Sequence, residues 1–306
     1  MAALARVHKL RRRIYSGEAV VMSRRLVVVG ALLSAAALVA TGCTNAFTAT
    51  EPRATPAADT ASATATPASS SATPRHSATP DPTTSKRAAV SDPLDLGHKK
   101  IKYGQEGKHV KALQKRLTAL HYDAGEVDGH YGPNTRYAVW AFDKVNGIKP
   151  HDAIGKKVRA AFDDPEQPKA LEPGGAKDRV EIKLDKQYLV VYLDDTVALI
   201  SHISTGSGAS YCNKWTDDAT GETGTSCGVA VTPTGNYKTY RRIEGWRHSR
   251  LGYLYNPVYF NGGIAVHGEP YVPLYPASHG CVRIPMHTST IFPKLVDKGE
   301  MVYVRD

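Results

Sequence analysis

The sequence predicts a multidomain protein in which a small all-α three-helix bundle precedes a β-rich, sandwich-like domain. Three observations carry this. Residues 44 to about 92, the bulk of a tether placed over 44–98, are mostly Ala, Thr, Ser and Pro, with repeated "ATP" units. Such a segment buries too little apolar surface to offset the entropy of ordering it. Between 99 and 165 apolar residues recur every three or four positions, the period of a helix face. From 178 to 306 the period shortens to that of strands, punctuated by Gly, Pro, Asn and Asp.

The N-terminal 43 residues read as an export segment. A first basic cluster, "KLRRR", lies upstream of a second methionine, and Met22 is an alternative true start. From there "MSRRLVVVGALLSAAALVATGC" places two arginines before an apolar run and small residues before a cysteine, the layout of a secretory signal. The apolar run, 26–40, is shorter than the ~20 residues a spanning helix needs. Its ending "ATGC" resembles a bacterial lipobox, which implies cleavage before Cys43 and a lipid on that cysteine. Ala40 stands where leucine is usual, and an ordinary cleaved signal is the alternative. The segment 44–98 is then a tether, with a root-mean-square reach of about 40 Å for roughly fifty flexible residues.

In "GKHVKALQKRLTALHYDAG", Val110, Leu113, Leu117 and Leu120 line one helix face. Asp128-Gly129 and Gly132-Pro133 supply turns. Asn134 or Thr135 is expected to cap a second helix whose inner face is Ala138, Val139, Trp140 and Phe142. A third helix is expected over 155–162, ending before Pro165. The Pro/Gly/Lys-rich stretch 166–177 reads as a linker. Strands are expected in "RVEIKL", "YLVVYL", "TVALISHIS", "GVAVT", "NYKTYRRI", "YNPVYF", "GIAVHG" and "EMVYVRD", with one helix between 286 and 296 limited by Pro293.

Lysine and arginine number 39 against 29 acids, a formal charge of +10. That favours anionic surroundings such as a cell wall or acidic lipid. No patch interleaves arginine with aromatics, so nucleic acid is not expected as a partner. No glycine-rich phosphate loop appears, and no cofactor is expected.

The chain has four cysteines, Cys43, Cys212, Cys227 and Cys281. With Cys43 assigned to lipid, three remain. Cys212 and Cys227 bracket a polar excursion, and a disulfide there would stabilise by about 3 kcal/mol; two separate thiols are the alternative. Cys281 is left alone, and an exported free thiol invites oxidation, which favours a chemical role for it. A nucleophilic thiol needs a base or a positive neighbour. His279 lies two residues before it, a spacing that on a strand puts both side chains on one face. His267 ends "GIAVHG", and the proline-rich "EPYVPLYPA" is expected to return the chain beside that strand. Gly280 permits close approach of a carbonyl to backbone N–H groups at 280 and 281, an oxyanion site. A zinc reading with His267, His279 and Cys281 as ligands finds Glu269 as the only nearby carboxylate, and no metal is expected.

Two family resemblances attach to these motifs. "G-x-x-V-x-x-LQ-x-x-L", "VDG-x-YG-x-x-T" and "AV-x-x-F" resemble the three-helix peptidoglycan-binding domain, which implies a wall-targeting module. "HG…SHGCVR", preceded by "TPTG" over 232–235, resembles the catalytic domain of the L,D-transpeptidases (YkuD-type), across about 178–306. That resemblance implies Cys281 as nucleophile and His267 as general acid/base, with Gly268 orienting the imidazole through its carbonyl. Ser278, His279 and Gly280 then shape the pocket and oxyanion site, and Arg283 meets a substrate carboxylate. The implied partners are peptidoglycan stem peptides, a donor tetrapeptide and a diaminopimelate acceptor, joined in a 3→3 cross-link through a thioester that carbapenems also acylate. The implied location is the outer face of the membrane, lipid-anchored and facing the wall of a high-GC Gram-positive, actinobacterial-type cell. An L,D-carboxypeptidase, a stem-peptide endopeptidase and a catalytically silent wall-binding lipoprotein are the alternatives.

Overall fold

The computed structural model describes residues 94–217 and 220–306. The expected export signal, Cys43 and nearly all of the tether lie outside the described residues. Those described fall within one compact unit.

Three helices open it: α1 (Lys108–Ala119), α2 (Pro133–Val145) and α3 (Lys156–Asp163). A two-residue strand, β1 (Ile101–Lys102), precedes α1 and pairs with β2 (Ala153–Ile154), which leads into α3. Leu113, Leu117, Phe142 and Phe162 are fully buried between the helices. The Phe142 and Phe162 rings stack with centroids 4.0 Å apart. Gln114 ties the turn to the helices: its Nε2 donates to Asp128 Oδ1 at 2.7 Å and Thr135 Oγ1 at 3.0 Å, while its Oε1 accepts from Gly129 N. Neither Asn134 nor Thr135 caps α2, contrary to expectation. The helix starts two or three residues earlier, at Pro133, whose fixed φ suits a first helical position and whose missing N–H is one that position leaves unpaired.

The remainder is a two-sheet sandwich. One sheet holds β3 (Arg179–Lys183), β4 (Tyr188–Leu193), β5 (Thr196–His202), β8 (Gly235–Lys238) and β14 (Met301–Arg305), in the order β5-β4-β3-β14-β8. The other holds β9 (Arg241–Arg242), β10 (Trp246–Ser249), β11 (Gly252–Asn261), β12 (Ile264–Glu269) and β13 (Val282–Pro285), in the order β10-β11-β12-β13 with β9 on β11. A separate hairpin, β6 (Ser210–Thr216) and β7 (Thr223–Val229), carries the disulfide between Cys212 and Cys227. The strand expected at "GVAVT" instead ends at Val229.

Val180, Ile182, Leu189, Val191 and Leu199 of the first sheet meet Val258, Val266, Val282 and Ile284 of the second in one core. Helix α4 (Thr288–Leu295) adds Phe292 to it. Pro293 sits inside α4. It cannot donate to the carbonyl four residues back. That carbonyl, Ser289 O, accepts from Asn256 Nδ2 at 3.1 Å instead.

"YLVVYL" is apolar on both faces, and the structure shows why. Leu189 and Val191 point into the sandwich, while Tyr188, Val190 and Tyr192 pack against the helical bundle, together with Ile200 of β5. The first sheet is therefore covered on both sides. The linker also runs pinned along this face: Leu171 N donates to the buried Glu181 carboxylate and Ala176 N to Tyr303 OH.

The contact between bundle and sandwich has a polar centre. Lys144 Nζ of α2 donates to Gln187 O at 2.6 Å and lies 2.5 Å from His202 Nδ1. His202 Nε2 donates in turn to Val272 O at 3.0 Å, and Val272 N donates to Tyr137 OH at 3.2 Å. His202 is fully buried. Burial lowers its pKa well below the usual histidine range and brings Lys144 down to about 7.

Candidate active site

β12 and β13 run parallel, with His267 opposite Arg283 and Val266 opposite Val282. Alternation along a strand sends successive side chains to opposite faces. Val266, Val282 and Ile284 enter the core. His267, Glu269 and Arg283 line the opposite face, where Cys281 joins them at the mouth of β13. The cleft they line holds about 1080 Å³. The proline-rich connection 270–277 closes the crossover that brings the histidine strand and the cysteine turn together, and Val272 anchors it to the helical bundle as described.

His267 is 3% exposed. Its Nδ1 donates to Gly268 O at 2.9 Å, which leaves Nε2 as the proton acceptor. Burial lowers its pKa to about 4, and the Arg283 charge pushes the same way. Gly268 has no room for a side chain, because an added Cβ would fall inside contact distance of Ser289 Oγ on α4. Cys281 is the one free cysteine among the described residues. It keeps partial exposure, yet burial of its thiol raises the pKa, against the opposing pull of Ala265 N–H and Arg283. The thiol lies 3.8 Å from Gly263 O and is not hydrogen-bonded to the imidazole. Of the two expected aids to the thiol, a base or a positive neighbour, the shifts favour the first: Cys281 is pushed toward the thiol and His267 toward the neutral imidazole. Burial outweighs the positive neighbour.

The turn that carries Cys281 is heavily tied. Ser278 Oγ accepts from Gly280 N at 3.0 Å and donates to Cys281 O at 2.5 Å. The Gly280 N–H, one of two expected oxyanion donors, is thus engaged by Ser278. Thr232 Oγ1, from the "TPTG" stretch, donates to Gly280 O at 2.6 Å and accepts from Gly206 N at 2.9 Å. Gly280 has φ +136°, and a Cβ there would lie 2.8 Å from Val231 O. Glycine is required at this position for both reasons.

His279 lies in a bend rather than on a strand, so strand alternation does not place it beside Cys281. The β6–β7 hairpin does. Asn213 Nδ2 donates to His279 Nε2 at 3.0 Å and Tyr211 meets the ring edge-on at 4.7 Å between centroids. Further along the hairpin, Arg250 lies 4.3 Å over the Trp215 ring. The hairpin forms one wall of the cleft; Trp246 and Tyr253, from β10 and β11, form the other. No sequence expectation covers this wall. Its signal is the pair of aromatics Tyr211 and Trp215, four positions apart, which a strand places on one face.

Two family models match the chain. One, described as an L,D-transpeptidase catalytic domain, matches residues 177–304, and one for a peptidoglycan binding domain matches residues 106–161. Among solved structures, the L,D-transpeptidase (residues 123–326) from Xylanimonas cellulosilytica is 35% identical with a TM-score of 0.60, covering 68% of this chain and 98% of that one. An L,D-transpeptidase from Stackebrandtia nassauensis is 22% identical with a TM-score of 0.40, covering 70% and 98%. An uncharacterised protein of Kitasatospora aureofaciens is 41% identical over 58 residues, 19% of this chain and 49% of that protein. The chain thus spans about half the length of the curated relative it matches. Among the described residues no helix is long and apolar enough to cross a membrane.

Proposed function

The chain belongs to the L,D-transpeptidase family, and from that premise we propose that it forms 3→3 cross-links in peptidoglycan by two-step acyl transfer through Cys281. His267 Nε2 takes the thiol proton as Sγ attacks the carbonyl at the L-centre of diaminopimelate in a tetrapeptide stem. The developing oxyanion is stabilised at the Cys281 backbone N–H. The carbon–nitrogen bond to D-Ala breaks, His267 gives its proton to the leaving amine, and a thioester remains. The side-chain amine of a second stem then attacks the thioester. His267 removes a proton from it, the new amide forms, and the thiol leaves reprotonated. Water in place of the amine gives an L,D-carboxypeptidase.

One observation carries this reading. Cys281 and a neutral, tautomer-fixed His267 share one cleft face, held by two adjacent parallel strands. A neutral base is what a general-base mechanism starting from a thiol requires. The helical module, on this reading, holds the wall while the cleft works on it, outside the cytoplasm. Anchoring through a lipid on Cys43 belongs to the same proposal.

The test is mass spectrometry of protein incubated with a purified disaccharide-tetrapeptide, with Cys281→Ala in parallel. Cysteine-dependent dimers that have lost one D-Ala are the expected product. Tripeptide monomers alone would assign a carboxypeptidase. Unchanged substrate and no mass adduct on Cys281 would leave a wall-binding lipoprotein.

A further inference from the structure

The hydrogen bonds at the centre of the contact between bundle and sandwich do not end there. Tyr137, Trp140 and Lys144 recur on α2 at spacings of three and four, so they share one face of the helix. Seven residues of helix separate Tyr137 from Lys144 by about 10 Å. That face touches the sandwich at two points, and each leads toward Cys281.

The first point is Val272, at the start of the crossover. Val272 is fully buried against Tyr137 and Trp140. Its N–H donates to Tyr137 OH at 3.2 Å, and its carbonyl accepts from His202 Nε2 at 3.0 Å. The His202 ring stacks on Tyr137 with centroids 5.7 Å apart, and its Nδ1 accepts from Lys144 Nζ at 2.5 Å. The second point is Gln187, in the turn between β3 and β4. Its carbonyl accepts from Lys144 Nζ at 2.6 Å and from Ile203 N at 3.1 Å. Its side chain grips Thr205 twice: Nε2 donates to Thr205 Oγ1 at 2.7 Å, and Oε1 accepts from Thr205 N at 2.8 Å. Gln187 holds φ +56°, a conformation that a non-glycine residue keeps where its surroundings fix it.

Thr205 extends this hold to the far end of the crossover. Its carbonyl accepts from Ala277 N and Ser278 N, both at 2.9 Å. The Ser278 hydroxyl in turn accepts from Gly280 N and donates to Cys281 O. Lys144, only 8% exposed, is therefore bonded to the anchors of both ends of the segment 272–278. An apolar side chain would seal this seam without the cost of burying an amine. What lysine adds is two donated hydrogen bonds to acceptors on separate elements.

We propose that the helical module is a working part of the active site. Lys144 and Tyr137 are positioning residues: they hold both ends of 272–278 and, through Ser278, set where the Cys281 sulfur meets the stem carbonyl. Buried networks whose members are all satisfied rigidify what they join. What the held turn does in acylation rests on the acyl-transfer reading above; that the module holds it does not.

The experiment uses the full chain with Lys144→Met and Tyr137→Phe, each close in size to the residue it replaces. Val158→Ala, in the bundle core on α3, is a control that loosens the module away from the path. Acylation of Cys281 by a disaccharide-tetrapeptide, alkylation of Cys281 by iodoacetamide, and hydrogen exchange at the amides of 277 and 278 are measured well below Tm. Lys144→Met should lower the limiting acylation rate about tenfold or more at a KM within about twofold, because small displacements of reacting atoms are costly. Alkylation should stay within about twofold, since a small electrophile needs no aligned carbonyl. Exchange at 277 and 278 should rise about tenfold. Tyr137→Phe should move acylation and exchange in the same directions by less, and Val158→Ala should match wild type. Unchanged exchange in Lys144→Met overturns the clamp, as does an equal loss of acylation in Val158→Ala. Alkylation that accelerates in step with exchange marks plain unfolding and also overturns it. A wild type that forms no thioester refutes the acyl-transfer reading instead, and exchange then decides the clamp alone.

Discussion

Replacing Thr232 by valine tests how the cysteine turn is held. Valine keeps the size of threonine, so no cavity opens, but two hydrogen bonds vanish. Thr232, 6% exposed, donates to Gly280 O at 2.6 Å and accepts from Gly206 N at 2.9 Å. Each of the two backbone groups left without a partner in a dry site costs about 1–3 kcal/mol, so Thr232→Val should destabilise by about 2–6 kcal/mol. For a domain of this size that lowers Tm by roughly 2–4 °C per kcal/mol. The carbonyl released is that of the residue before the nucleophile. A shift of about 1 Å in the reacting sulfur costs on the order of a hundredfold in rate. The assays are urea denaturation followed by tryptophan fluorescence, and the rate of Cys281 acylation measured well below Tm. Thr232→Ser retains the hydroxyl and should keep the wild-type rate. A Thr232→Val protein within about 0.5 kcal/mol of wild type and acylated at the wild-type rate would refute the argument, since surface substitutions alone fall in that range.

The acid limb of the acylation rate should fall near pH 4, not near 6.5, because burial keeps the His267 imidazole neutral down to about pH 4; a rate profile from pH 3.5 to 8 with its inflection at 6.5 would contradict this. Lys144 has a folded pKa of about 7, below its unfolded value, so the unfolded chain holds more protons above pH 7 and stability rises with pH there. Denaturant titrations at pH 7 and 9 should show wild type gaining roughly 2 kcal/mol relative to Lys144→Met, from about 1.36 kcal/mol per pH unit. Replacing both Cys212 and Cys227 by serine should lower stability by up to about 3 kcal/mol and raise KM for stem peptides, because the hairpin that holds His279 loses its cross-link. Unchanged KM in steady-state kinetics would remove the hairpin from substrate binding.

Much of this arrangement was legible in the sequence, for reasons that differ by element. Val180 and Ile182 alternate with Arg179, Glu181 and Lys183, and the strand they form follows from that period alone. The helices of the bundle followed from the spacing of Val110, Leu113 and Leu117. The continuous run "YLVVYL" was read as a strand but not as a strand buried on both faces; six consecutive apolar residues are the mark of the second condition. His279 was placed by strand alternation although Gly280, at φ +136°, breaks the strand just before Cys281. The protonation of Cys281 and His267 was not legible at all. It depends on how deeply the fold buries them, and that depth is set by the packing of the two sheets rather than by neighbours in the chain.

The helical module does not hang from the sandwich. Tyr188, Val190, Tyr192 and Ile200 would be stripped of cover if the helices were removed, each losing about 1.5–3 kcal/mol of burial at most. The module is thus a jig rather than a leash. On the proposed function, wall held by the helices is presented to the cleft from a packed seat, and a foreign module grafted in their place would have to cover the same face of the sheet before it could aim anything.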